Sequence, residues 1–156
     1  MRKPGHDFHE HPDDIPTMML VREVSKIFHD KLRSANEQAG IPDGYRHILF
    51  ALAAENGRTQ CEISCITRLK APTVSVALQK MEADGLVTRV TDAEDQRQSR
   101  IFITEKGREC NEICHSNLIN AEKLTLLGVT PEEEAFLKKC LTKMKMNLIE
   151  STENDK

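Results

Sequence analysis

The sequence predicts a mainly α-helical fold carrying one small β-hairpin, and three observations in residues 71 to 107 lead there. A short helix with a small polar leading edge stops at Asp84-Gly85. Two segments rich in β-branched residues follow, separated by the charged run DAEDQRQS. A new helix then begins at Thr104. Helix, glycine stop, charged hairpin and helix is the layout of a winged helix-turn-helix lobe, a module that lays one helix in a DNA groove. The remaining N- and C-terminal helices are expected to serve dimerisation.

Each element has its own warrant. Residues 1 to 14 hold two prolines, a glycine and three histidines (6, 9 and 11) and read as a flexible arm. Leu20, Val24, Ile27, Phe28, Leu32 and Ala35 recur at threes and fours, which predicts a first amphipathic helix over roughly 16 to 38. Gly40, Pro42 and Gly44 break it. A second helix from about Pro42 to Asn56, nearly all apolar in its latter half, is the expected buried strut, ended by Gly57. Thr59 with Glu62 is a capping box opening a third helix with Ile63 and Ile66 inward, and Leu69 closes the turn that follows.

The next helix has Pro72 in its first turn, where a missing N–H costs nothing, and is expected to bury Val74, Ala77, Leu78 and Met81. Its opposite face carries Thr73, Ser75, Val76, Gln79 and Lys80, groups without bulk to hold the helix off a base edge. Leu86–Thr91 and Arg100–Thr104 form the hairpin. Thr104 caps a helix running to about Leu127, and Thr130-Pro131 with Glu133 starts the last one. That final helix carries a stripe of Phe136, Leu137, Leu141, Met144 and Leu148 with no core left to cover, so a second copy of the chain is the expected cover.

Composition bounds the function. Aromatics are only 4% and tryptophan is absent, which argues against single-strand or RNA binding by base stacking. The longest apolar run, Ile48 to Ala54, is too short to span a membrane, and the polar start shows no signal peptide, so a cytoplasmic protein is expected. The net charge is −3, yet residues 58 to 108 hold nine Lys/Arg against seven Asp/Glu, a local +2 that leaves −5 elsewhere. Five cysteines, an odd number, read as free thiols. No Gly-rich phosphate loop, nucleophile elbow or HExxH helix is present, so no enzyme is expected.

Residues 45 to 149 resemble the MarR family of bacterial transcription regulators. The resemblance rests on Met81 to Val87 at the end of the reading helix, on Asp95-Gln96-Arg97 at the wing, and on Ile103-Thr104-Glu105-Lys106-Gly107 entering the next helix. Met81 and Ile103 replace the family's usual leucines, and Gln96 stands where a second arginine is common. The resemblance implies a homodimer on double-stranded DNA, with the reading helix in the major groove and the wing arginine in the minor groove. It also implies one MarR-like domain over 15–150, with the DNA-binding lobe at about 45–107 and dimerisation helices at about 15–38 and 108–150.

The candidate DNA-contacting residues are Lys70, Pro72, Thr73, Ser75, Val76, Gln79, Arg97 and Arg100, with Asp95 orienting the wing. A guanidinium on a hairpin tip suits the narrow, electronegative minor groove of A·T-rich DNA. Arg100, Arg89 and Lys70 are available for phosphates.

Cys110 and Cys114 are four apart on one helix and share a face, as do Cys61 and Cys65. Thiolates at that spacing suit a tetrahedral Zn²⁺ site if histidines from other helices join them, and His47 and His29 are the natural additions to Cys110 and Cys114. Some relatives in the family sense zinc with ligands in corresponding helices. The competing reading is that these thiols are small packed hydrophobes. The sequence therefore points to a DNA-binding regulator, a repressor on a pseudo-palindromic operator answering to an unidentified small molecule or metal. A zinc-responsive regulator and a protein-docking winged helix without DNA readout are the alternatives.

Overall fold

The computed structural model describes residues 15–91 and 98–154, with side chains to residue 151. Its elements are α1 (Thr17–Gln38), α2 (Tyr45–Ala54), β1 (Arg58–Thr59), α3 (Gln60–Thr67), α4 (Ala71–Ala83), β2 (Val87–Thr91), β3 (Ser99–Ile103), α5 (Glu105–Thr125) and α6 (Pro131–Asn154). This is the mainly helical winged fold that the sequence predicts. The chain divides into two compact units, Met1–Ala121 and Glu122–Lys156.

In the first unit, the sheet is antiparallel in the order β1-β3-β2, and β2 pairs with β3 from Val87 opposite Ile103 to Thr91 opposite Ser99. The two-residue β1 is an addition to the predicted hairpin. Its partner, Ile101 opposite Arg58, lies 43 residues away in the chain, so no local pattern announces it. The core gathers around α2, whose Ile48, Leu49 and Leu52 are fully buried with Ile63 of α3, Val74, Leu78 and Met81 of α4, and Ile101 of the central strand. A helix nearly apolar all round belongs at the centre of such a lobe.

The helix ends are closed by local hydrogen bonds. The Thr59–Glu62 capping box of α3 is complete, and Thr130 with Glu133 makes the same reciprocal pair at the start of α6. At the end of α4, Gly85 takes φ +74, its N–H donates to the Glu82 carbonyl, and the Leu86 N–H donates to the Met81 carbonyl. This is the Schellman arrangement, accompanied by buried Leu86 and Met81. The end of α1 repeats it with Gly40 and Ile41 bonded to Glu37 and Asn36. Asn36 is the buried polar side chain of α1, and its Oδ1 accepts from Asn117 Nδ2 of α5 at 2.9 Å.

Gly107 marks the tightest approach in the lobe. A Cβ there would meet the Leu86 carbonyl oxygen at 2.2 Å and Ile103 Cγ1 at 2.7 Å. The Leu86 carbonyl is held by the Thr104 N–H and Ile103 belongs to β3, so neither can yield cheaply. Gly107→Ala is expected to cost about 1 to 3 kcal/mol by overpacking. A denaturant midpoint unchanged from that of the parent protein would show that α5 shifts freely.

Candidate nucleic-acid interface

The sequence of α4 sets both faces of the helix. Val74, Leu78 and Met81 recur at threes and fours and are fully buried, while Pro72, Thr73, Val76, Gln79 and Lys80 are exposed. Ser75 and Ala77 are half-buried, so Ser75 is less accessible than the candidate face requires. Lys70 is exposed at the N-cap of α4, and its carbonyl accepts from the Val74 N–H at 3.1 Å. Six of the predicted DNA-contacting residues thus fall on one helix and its cap, with Ser75 set back. Asp95 and Arg97 lie outside the described residues.

Two of the cations offered for phosphates are engaged within the lobe. Arg89 Nε pairs with Glu82 Oε2 at 2.8 Å, bracing β2 against α4, and Arg100 donates to the Gly57 carbonyl at 3.1 Å. Both therefore have a structural task beside the phosphate contacts proposed for them. Arg58 likewise donates to the Ala51 carbonyl and to Glu55.

Alongside α4, a cleft of about 520 Å³ opens between Asp43, Gly44 and Tyr45 on one side and Thr73, Val76 and Lys80 on the other. Sequence reasoning missed this wall of the face. The signal for it lies in Gly44, which takes φ +92 at the N-cap of α2, and in the single tyrosine of the chain. Tyr45 donates to Asp84 Oδ2 at 3.1 Å, linking the start of α2 to the end of α4. Burial, and then that hydrogen bond, push its phenol up to about 12.

The predicted zinc ligands are not brought together. Among the described residues no three His, Cys, Asp or Glu side chains converge on a point that would hold a metal ion. Cys114 is fully buried in the hydrophobic core, and Cys110 packs partly buried against it. His47 Nε2 accepts from Arg46 Nη2 at 3.0 Å, which occupies its lone pair and keeps a fixed positive charge beside it. His29 Nδ1 faces the Ser25 carbonyl at 2.7 Å, back along its own helix. The face that Cys110 and Cys114 share is turned to the core.

A family model described as the MarR family matches residues 39–98. The HTH-type transcriptional regulator TtmR of Methylorubrum extorquens (strain PA1) is 39% identical over 61 residues, which are 39% of this chain and 31% of that protein. The match thus spans about a third of the curated relative. A point mutant of S. aureus MepR superposes with a TM-score of 0.75 at 30% identity, over 86% of this chain and 99% of MepR.

The chain belongs to the MarR family. A second MepR point mutant, bound to an oligodeoxyribonucleotide, matches at a TM-score of 0.61 with 30% identity over the same shares, 86% of this chain and 99% of that one. As a MarR-family transcriptional regulator, the protein has the winged helix fold. Among the described residues no helix is long and apolar enough to cross a membrane.

Two shifted groups of this MarR-family chain contribute opposite limbs to its pH response. His47 is held below its usual 6.5, first by burial and then by the Arg46 guanidinium. The unfolded chain therefore takes the proton first as pH falls, and stability is lost as pH drops through about 6.5. Cys114 has the opposite sign. Burial raises its thiol from 9.0 to about 11, so the folded state keeps a proton that the unfolded chain releases. Stability is lost from about pH 9 to 11. Denaturant midpoints measured across both limbs should flatten on the acid side in His47→Gln and on the alkaline side in Cys114→Ala. Slopes equal to those of the parent would assign the titration to other groups.

Proposed function

We propose that the protein binds double-stranded DNA in a sequence-specific manner, as a homodimer on a pseudo-palindromic operator, and acts as a ligand-responsive repressor. The observation that carries this is α4. Its apolar side is locked into the core, its C-terminal end is closed by a Schellman motif and the Tyr45–Asp84 bond, and a row of small or hydrogen-bonding side chains is left exposed. Thr73 and Gln79 suit base edges, Lys70 and Lys80 suit phosphates, and Pro72 and Val76 suit thymine methyl groups. The oligodeoxyribonucleotide bound to the MepR mutant supports the same class of partner.

On this reading, about 45–107 is the DNA-binding lobe. Asp95 orients the wing and Arg97 enters the minor groove. Removing Arg97 by an alanine substitution is expected to weaken operator binding by about 1 to 3 kcal/mol and random DNA less. Gln79→Ala should also relax preference at one position of the operator. Titration of labelled duplexes at one fixed salt concentration reads both effects. Equal affinities of Arg97→Ala and parent protein for the operator would remove the wing from the mechanism.

Homodimerisation is supported by two exposed apolar faces, each taken on its own helix. Met18, Leu20, Val24 and Ile27 are exposed on α1, and Phe136, Leu137, Leu141 and Leu148 on α6. Exposed apolar stripes of that length favour association. Truncation after Gly128 is expected to give a monomer or an aggregate. A soluble dimer of the truncated chain in light scattering would place the contact outside α6.

The effector reading has its support on α2. Arg46 is half-buried, stands over the Phe50 ring at 5.9 Å and acts electrostatically on Cys114 of α5. A desolvated guanidinium beside an aromatic ring suits a small organic anion such as a phenolic acid.

A further inference from the structure

The chain contains two Cys-x-x-x-Cys pairs, and the structure gives them opposite surroundings. Cys110 and Cys114 face the core, where Cys114 is fully buried. Cys61 and Cys65 lie on α3, and both are exposed. The buried face of α3 is held by Ile63, so the two thiols project one turn apart away from the core.

We propose that Cys61 and Cys65 form a bidentate site for a thiophilic centre with two exchangeable ligands, of which a trivalent organoarsenic group is the type. Residues four apart on a helix have Cβ atoms about 5 to 6 Å apart. A disulfide needs about 3.5 to 4.5 Å between them, so this pair cannot close on itself while α3 stays helical. A single soft atom bonded to both sulfurs at about 2.3 Å each spans the gap without moving the backbone. Zinc would need further ligands, and no three metal-binding side chains converge here among the described residues. A centre satisfied by two sulfurs plus a group of its own fits what the helix offers.

The chemistry balances without a redox partner. With phenylarsine oxide, two As–S bonds form, the As–O bond breaks, and the oxygen leaves as water carrying both thiol protons. Arsenic remains trivalent and both sulfurs remain thiolate donors. The complete helix α3 is the only scaffold required, and its capping box at Thr59 and Glu62 keeps the first turn, where Cys61 sits, in helical form. The inference does not depend on what the lobe binds through α4.

The test uses the reduced, full-length protein and phenylarsine oxide as the probe, followed by native intact mass and a count of free thiols. One phenylarsenic group per chain, with the loss of two thiols and release by a competing small dithiol, is the expected result. Cys61→Ser and Cys65→Ser should each weaken uptake by roughly a hundredfold or more, because the second bond is then no longer intramolecular. Cys110→Ser and Cys140→Ser should leave it as in the parent. Since Cys61 and Cys65 are exposed, their serine variants should keep the parent's circular dichroism. No adduct on the parent, an adduct mapped to Cys110 and Cys114, or full uptake by either α3 variant would overturn the proposal.

Discussion

The lobe depends on one junction, where Thr104 and Gly107 meet the carbonyl groups of Gly85 and Leu86. Thr104 makes three contacts at once. Its N–H donates to Leu86 O at 3.0 Å, its hydroxyl donates to Gly85 O at 2.7 Å, and the same oxygen accepts the Gly107 N–H at 3.1 Å. The end of β3, the exit from α4 and the first turn of α5 are thereby tied through a single residue. Gly107 completes the joint by having no side chain, since even a methyl group would overlap Leu86 O. Lys106 adds a charge-assisted bond to the Asp84 carbonyl at 2.7 Å. The orientation of α4 relative to the wing strands follows from this knot more than from the hydrophobic contacts around it, which are less directional.

A second set of bonds fixes the other side of α4. Tyr45 reaches Asp84 from α2, and Asn56 Oδ1 accepts the N–H groups of both Gly57 and Ile103, so the far end of α2 is joined to β3. A central helix pinned at one end to α4 and at the other to the sheet leaves α4 little freedom to rotate. Such rigidity matters for groove recognition, where a misplaced donor loses its base edge. It also gives the effector proposed at Arg46 a route to α4, because Arg46 follows Tyr45 directly in the chain.

What the sequence discloses follows a physical division. Capping boxes at Thr59 and Thr130, the glycine stop at Gly85 and the two-faced pattern of α4 are local, and each is legible because its partners lie within a few residues. Strand β1, the Tyr45–Asp84 bond and the Asn36–Asn117 pair join distant residues, and no periodicity encodes them. The same division governs the zinc expectation. Spacing shows that Cys110 and Cys114 share a face, but only the packing shows that this face is the core and that Arg46 occupies the ring nitrogen of His47. The two cysteine pairs have identical spacing, and burial alone separates them.

Charge in the lobe carries a last consequence for the proposed DNA reading. Of the cations between 58 and 108, Arg58 and Arg89 sit in ion pairs with Glu55 and Glu82, Arg108 approaches Glu105 at 3.9 Å, and Arg100 donates to backbone. Forming a phosphate contact with any of these means giving up an existing bond, so the net gain is smaller than for a solvated side chain. Lys70 and Lys80, both exposed and both at α4, have no such cost among the described contacts. Non-specific attraction to the backbone should accordingly be modest in a chain of net charge −3, and a larger share of discrimination falls on the neutral donors and methyl groups of α4. A reading face built this way favours correct sequence over mere polyanion binding.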